Sequence, residues 1–262
     1  MRIAFVQMNC RFGEVEKNLE KAKALIQKEQ ADLFVLPELF HCGYLFESRE
    51  ELKQLAESAD KGQTSTFLAQ ICALKKCHIV AGLAEKAGDK IYNSSILIGP
   101  YGYLATYRKI HLFDKETLWF DPGDTPFTVM DIGLARIGMM ICFDWIFPEP
   151  MRSLALLGAD VVCHPSNLVM PYCQKAMKTR CLENNVYAVT ANRIGTDVRK
   201  HDKVQFTGQS QITGPRGEIL AAVLEDEECV RVVDVDVSQA RKKMISSRND
   251  LLADRRPDFY AR

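Results

Sequence analysis

Four polar residues stand where apolar runs of strand length end. Glu38 follows Asp32-Leu33-Phe34-Val35-Leu36-Pro37, and Lys109 follows Tyr103-Leu104-Ala105-Thr106-Tyr107-Arg108. Cys142 follows Ala135-Arg136-Ile137-Gly138-Met139-Met140-Ile141, and Asn167 follows Val161-Val162-Cys163-His164-Pro165-Ser166. In α/β proteins ligands gather in crevices beyond the carboxyl ends of strands. A carboxylate, an ammonium and a thiol delivered there make an activated nucleophile. The ammonium lowers the thiol pKa and stabilises an oxyanion, while the carboxylate shuttles protons. Taken singly, each residue also has a plainer reading. Glu38 beside a proline caps a turn, and Lys109 guards an edge strand. Cys142 is one of nine cysteines, most of them expected to pack as core. Glu116 is an acid in a first helical turn, and Trp145 and Phe147 are packing residues.

The elements that must position these groups alternate along the chain. Arg2–Met8 reads as a buried strand, and Val15, Leu19, Ala22, Leu25 and Ile26 then fall at helical spacing. A second strand over Asp32–Leu36 is stopped by Pro37, whose ring removes a ladder donor. Thr66–Lys76 is helical in pattern and His78–Ala84 a strand. Residues 91–99 and 103–110 pair around Gly99-Pro100-Tyr101-Gly102, and Phe127–Ile132 pairs with Ala135–Phe143. Then come a helix near Pro148–Leu157, a strand over Asp160–Cys163, a helix over Gln174–Asn184 and a strand over Val186–Ala191. Antiparallel strands occupy residues 207–236, and a basic helical segment is expected over Ser238–Leu252. Hairpins mixed with strand–helix units predict mixed sheets covered by helices. No linker, low-complexity segment or internal repeat is visible, so residues 1–262 read as one domain.

Composition narrows the chemistry. Thirty-four basic residues balance thirty-four acidic ones in 262, which leaves no basic field for nucleic acid or an anionic membrane. No uncharged apolar stretch reaches the ~18 residues of a spanning helix, and the first residues read as a strand without a secretory leader. The odd cysteine count and the absence of Cys-x-x-Cys argue against a disulfide framework and for a cytoplasmic location. No dinucleotide or phosphate loop and no Gly-x-Ser-x-Gly elbow occurs. The five histidines (41, 78, 111, 164 and 201) lack metal-ligand spacing. In strands the adjacent pairs Cys77-His78 and Cys163-His164 point to opposite faces, so neither a metal nor another cofactor is expected.

Longer strings carry more weight than any single residue. Leu36-Pro37-Glu38-Leu39-Phe40, then Tyr107-Arg108-Lys109-Ile110-His111-Leu112-Phe113 with Glu116, then Ile141-Cys142-Phe143-Asp144-Trp145-Ile146-Phe147-Pro148-Glu149 resemble the three signature blocks of the nitrilase superfamily of carbon–nitrogen hydrolases. They stand in that family's order. Asn93-Ser94-Ser95, Phe120-Asp121-Pro122-Gly123-Asp124, His164-Pro165-Ser166-Asn167, Arg180-Cys181-Leu182-Glu183-Asn184 and Ala191-Asn192-Arg193-Ile194-Gly195 extend the resemblance over nearly the whole chain. It looks closest to small stand-alone archaeal and bacterial members.

The resemblance implies an αββα four-layer sandwich of two mixed β-sheets flanked by helices, usually dimerised. It implies Cys142 as nucleophile, Glu38 as general base and Lys109 as electrostatic partner. Glu116 would orient the lysine, and Phe143 would offer its backbone N–H to an oxyanion. Tyr44, Phe113, Trp145, Asn167, Met170 and Tyr172 are the expected pocket residues, around a small amide or nitrile and water. Many true nitrilases carry Cys-Trp-Glu where this chain has Cys142-Phe143-Asp144. That departure favours an amide over a nitrile, and the lack of an arginine after Asp144 disfavours a dicarboxylic monoamide. A nitrile converted to acid plus ammonia and an N-carbamoyl substrate remain the alternatives. An ammonia-supplying amidotransferase subunit and a non-catalytic redox or binding protein are the rival classes.

Overall fold

A computed structural model describes residues 1–200 and 202–260; His201 and the last two residues of the chain lie outside the described part. Its strands are β1 (Arg2–Asn9), β2 (Leu33–Val35), β3 (His78–Ala87), β4 (Lys90–Gly99), β5 (Gly102–Arg108), β6 (Val129–Asp131), β7 (Arg136–Met139), β8 (Val161–Ser166), β9 (Tyr187–Ile194), β10 (Thr196–Arg199), β11 (Asp202–Gln205), β12 (Gln211–Thr213), β13 (Ile219–Ala222) and β14 (Cys229–Asp234). The helices are α1 (Val15–Gln27), α2 (Arg49–Leu55), α3 (Gln63–Lys75), α4 (Glu116–Trp119), α5 (Pro148–Leu156), α6 (Cys173–Leu182) and α7 (Ser238–Arg241).

The strands form two mixed sheets, ordered β14-β1-β2-β3-β4-β5 and β6-β7-β8-β9-β12-β13. They meet edge to edge where Met8 and Asn9 of β1 pair with Arg193 and Ile194 of β9. Each sheet has one antiparallel edge strand, three parallel strands (β1-β2-β3 and β7-β8-β9) and an antiparallel hairpin. The chain therefore repeats one strand plan twice, although no sequence repeat announces it.

The alternation within β1 explains the layering. Ile3 and Phe5 join a core shared with Ile137, Met139, Val161 and Cys163 of the second sheet. Ala4, Val6 and Met8 face Leu19, Ala22 and Ile26 of α1 and Leu68 and Ile71 of α3. A period of two thus splits one strand between a sheet–sheet core and a helix layer. Met151 and Leu154 of α5 and Met177 of α6 close the second sheet. Each fully buried Leu, Ile or Phe contributes about 1.5–3 kcal/mol. The result is a four-layer αββα sandwich. Among the described residues no helix is long and apolar enough to cross a membrane.

Two local readings are corrected. The basic stretch Ser238–Leu252 is helical only over α7. Beyond it Ser246, Asn249 and Asp250 bond nearby backbone and side chains, for example Leu252 N–H to Asp250 Oδ1 at 2.8 Å. Such short polar side chains offer the backbone an alternative to the helix. The expected strand over Ala135–Phe143 ends at Met139, and Cys142–Ile146 forms a 3₁₀ turn. Helix α2, capped by Ser48 Oγ accepting from Glu51 N–H at 3.1 Å, and the β10–β11 hairpin carry too little apolar periodicity to be read in advance.

Candidate active site

The sandwich brings the ends of equivalent strands together. Glu38 lies just past β2 and Lys109 directly after β5, which runs in the same direction within the first sheet. Cys142 lies just past β7, and Asn167 directly follows the parallel strand β8 in the second sheet. Backbones crowd at this point. A Cβ on Gly82 would sit 2.4 Å from Glu38 Cα, and one on Gly123 would sit 2.2 Å from the Arg108 carbonyl oxygen. Only glycine permits β3 and the 120s loop to press against the residues carrying the two charges.

Glu38 and Lys109 are completely buried, and Glu116 nearly so. Lys109 Nζ donates to Glu38 Oε1 at 2.7 Å and to Glu116 Oε1 at 2.8 Å. Asn93 Nδ2 donates to Glu38 Oε1 at 2.7 Å and reaches Glu116 Oε2 at 3.4 Å. Tyr44 O–H donates to Glu116 Oε1 at 2.8 Å, and Asn167 Nδ2 to the Glu38 carbonyl oxygen at 2.9 Å. Among the described residues, three buried acceptors, Glu38 Oε2, Asn93 Oδ1 and Asn167 Oδ1, have no partner. Each such orphan costs about 1–3 kcal/mol, so the site holds acceptor capacity in reserve.

Cys142 opens its 3₁₀ turn in the left-handed region, with φ of 39°. That conformation costs a non-glycine residue on the order of 1–3 kcal/mol and persists only where surroundings hold it. His164 Nε2–H supplies one hold, donating to the Cys142 carbonyl oxygen at 2.9 Å. Burial pushes the His164 pKa down to about 4, so its ring is neutral at pH 7.

The Lys109 ammonium lowers the thiol pKa in the expected direction, but it is outweighed. The thiol is pushed well above its ordinary value, first by burial and then by the Glu38 charge, with Lys109 opposing. The ammonium therefore does not by itself make a thiolate, because burial outweighs its attraction. Burial alone pushes Lys109 down, but Glu116 and Glu38 together carry it above the usual lysine range, and it stays charged. Glu116 is pushed up to about 6, first by burial, with Lys109 opposing and Glu38 adding.

A cavity of about 510 Å³ opens against Glu116 and Tyr44, walled by Phe46, Phe113, Trp119 and Val204 among others. Of the expected pocket residues, Tyr44 and Phe113 line it, whereas Trp145, Met170 and Tyr172 do not. Trp145 is buried in the sheet core, Met170 packs against that core, and Tyr172 is 61% exposed. Asn167 braces Glu38 instead of forming a wall. The Phe143 ring stands 5.0 Å from that of Phe113, which lines the cavity, but does not itself line it. Sequence reading gave no role to Asn93, Trp119 or the hairpin residues Asp202–Gln205, which line or brace the site. For Asn93 a signal exists, since Asn93-Ser94-Ser95 interrupts an otherwise apolar strand.

Residues 2–243 match the family described as carbon-nitrogen hydrolase. The chain is 48% identical to a nitrilase of Pyrococcus abyssi over the full length of both. It is 36% identical to an (R)-stereoselective amidase of Pseudomonas, over 98% of this chain and 92% of that one. Its fold superposes on the crystal structure of an amidase from Nesterenkonia with a TM-score of 0.78 at 26% identity, covering 98% and 94% of the two chains. With the family match spanning nearly its whole length, the chain belongs to the carbon–nitrogen hydrolases.

Proposed function

We propose that the protein hydrolyses the primary amide of a small molecule to acid and ammonia through a Cys142 thioester. The observation that carries this reading is Glu38. One of its oxygens is held by Lys109 and Asn93, and the other is buried, unpartnered and close enough for its charge to raise the Cys142 thiol. Glu38 takes the thiol proton and the sulfur attacks the carbonyl carbon. The oxyanion is held by Lys109 and the Phe143 N–H, donors of a type that contribute about 3–4 kcal/mol each. Glu38 returns the proton to the leaving nitrogen, the C–N bond breaks and ammonia departs. A water then gives its proton to Glu38 and attacks the thioester, and the released sulfur recovers that proton. Glu116 keeps Lys109 pointed at the reacting carbon.

The three unpartnered acceptors favour an amide over a nitrile. The –NH₂ of a primary amide brings two N–H donors, and a nitrile nitrogen brings none. A carbamoyl –NH₂ presents the same donors and falls in the same class. The nitrile reading is kept open by the 48% identity to the Pyrococcus nitrilase. Ammonia release from an amide and a nitrile of the same acyl group separates the two. The amide should be turned over with a higher kcat/KM by at least about tenfold, and the reverse order would make the protein a nitrilase.

The protein acts as a homodimer with a two-fold axis near α5 and α6. Leu156, Leu157 and Leu182, with Ile146 just before α5, leave apolar surface on these helices exposed. The segment from Leu251 onward, with Phe259 73% exposed, would reach across to the partner; its last two residues lie outside the described part. Sedimentation at micromolar concentration should show a particle of twice the chain mass, and a monodisperse monomer would refute it.

A further inference from the structure

Asp144, two residues after the thiol, is completely buried and none of the steps above uses it. Its Oδ2 accepts from Tyr107 O–H at 2.8 Å and from the Ile141 backbone N–H at 2.8 Å, and its Oδ1 lies 2.7 Å from His111 Nδ1. The identity of these partners is informative. Tyr107 and His111 stand two residues before and two residues after Lys109, and Ile141 immediately precedes Cys142. The Tyr107 oxygen also accepts from the Ile110 N–H at 3.4 Å, closing the backbone around the lysine. The His111 ring is stacked on Phe147, 4.0 Å away at 20°, at the far end of the thiol's own turn.

One carboxylate thus ties both flanks of the lysine to the backbone that enters the strained cysteine. The two segments otherwise belong to different sheets. We infer that Asp144 is a positioning residue for carbon–nitrogen bond hydrolysis, setting the distance and angle between the Lys109 ammonium and the Cys142 sulfur. Its side-chain hydrogen bonds go to Tyr107, His111 and the Ile141 backbone, and none goes to Glu38, Lys109 or the Cys142 sulfur. The inference rests on the roles proposed above for Cys142 and Lys109.

Tyr107→Phe removes one tie without changing shape, and Asp144→Asn removes the charge and confronts the Ile141 N–H or the His111 nitrogen with a second donor. Misplacement of reacting groups by about 1 Å costs up to about 10²-fold. Asp144→Asn should therefore lower kcat by about 10²-fold and slow Cys142 alkylation by iodoacetamide, with KM nearly unchanged. Tyr107→Phe should lower kcat by a smaller factor, again with KM nearly unchanged. Because both act on one tie, the double variant should be no slower than Asp144→Asn alone. If Asp144→Asn does not fold, Tyr107→Phe and His111→Asn provide the same cycle. Wild-type kcat and alkylation in these variants would overturn the inference, as would effects that multiply or that fall on KM. If Cys142→Ala retained turnover, the thiol reading itself would fail. If Cys142→Ala is inactive while the Asp144 and Tyr107 variants behave as wild type, only the positioning role fails.

Discussion

Cys142→Ala should fold as the wild type does and lose essentially all ammonia release. The sulfur is the atom proposed to bond the carbonyl carbon, so no neighbouring group replaces it, and removal of a nucleophile costs as much as about 10⁶-fold in kcat. Alanine removes one sulfur from a position 6% exposed and adds no polar atom, so the main packing is kept. The left-handed backbone at residue 142 is held by its surroundings, including the His164 bond, and does not depend on the thiol. Cys163 and Cys173 make the control. Burial alone pushes both thiols up. Alanine at either position should retain most activity. Mass spectrometry of wild-type protein mixed with a slow amide should find the acyl group on Cys142. Wild-type turnover by Cys142→Ala would remove the mechanism outright.

Glu38→Gln should abolish turnover at both chemical steps, whereas Glu116→Gln should only slow it. Glutamine at 38 keeps an oxygen for Lys109 and Asn93 but cannot accept the thiol proton, and loss of a proton-transfer group costs about 10²–10⁴-fold. Thioester formation and thioester hydrolysis both need that transfer. Glutamine at 116 still accepts from Lys109 and Tyr44. Labelling of Cys142 by iodoacetamide should therefore survive in Glu116→Gln and be strongly reduced in Glu38→Gln. Acid pH supplies an internal check. Burial raises Glu116 to about 6, and as pH falls through that value its proton weakens the hold on Lys109. Wild-type kcat should decline through this range, and in Glu116→Gln, which cannot titrate, that decline should shift or vanish. Normal turnover by Glu38→Gln with an inactive Glu116→Gln would reverse the two roles.

What the residues alone determined follows from local periodicity. The alternation in β1, the helical spacing of Leu19, Ala22 and Ile26, and the turns that close the hairpins depend on neighbours within a few positions. Where apolar runs stop is equally local, so Glu38, Lys109 and Asn167 were legible at or just past strand ends, whereas the strand before Cys142 stops earlier, at Met139, than its apolar run implied. The signature strings added the order of the blocks and the sandwich. Local polar competition was not legible over Ser238–Leu252, where serine, asparagine and aspartate turned a basic helical pattern into loops.

Only the tertiary structure decided which groups meet. Lys109 reaches Glu38 across 71 residues of chain, and Asn167 reaches it across 129, separations at which spacing carries no signal. Asn93 and Asp144 look in the sequence like polar interruptions of apolar segments and become hubs once two sheets close over them. The cavity walls followed the packing of distant loops, so Trp145 entered the core while Trp119 and the β10–β11 hairpin came to the cavity. The net shift of the thiol's pKa was decided by the same packing. An ammonium beside a thiol lowers it in water, but burial of the pair between two sheets costs the thiolate more than Lys109 returns, and that balance is set by solvent exclusion, which no single stretch of residues encodes.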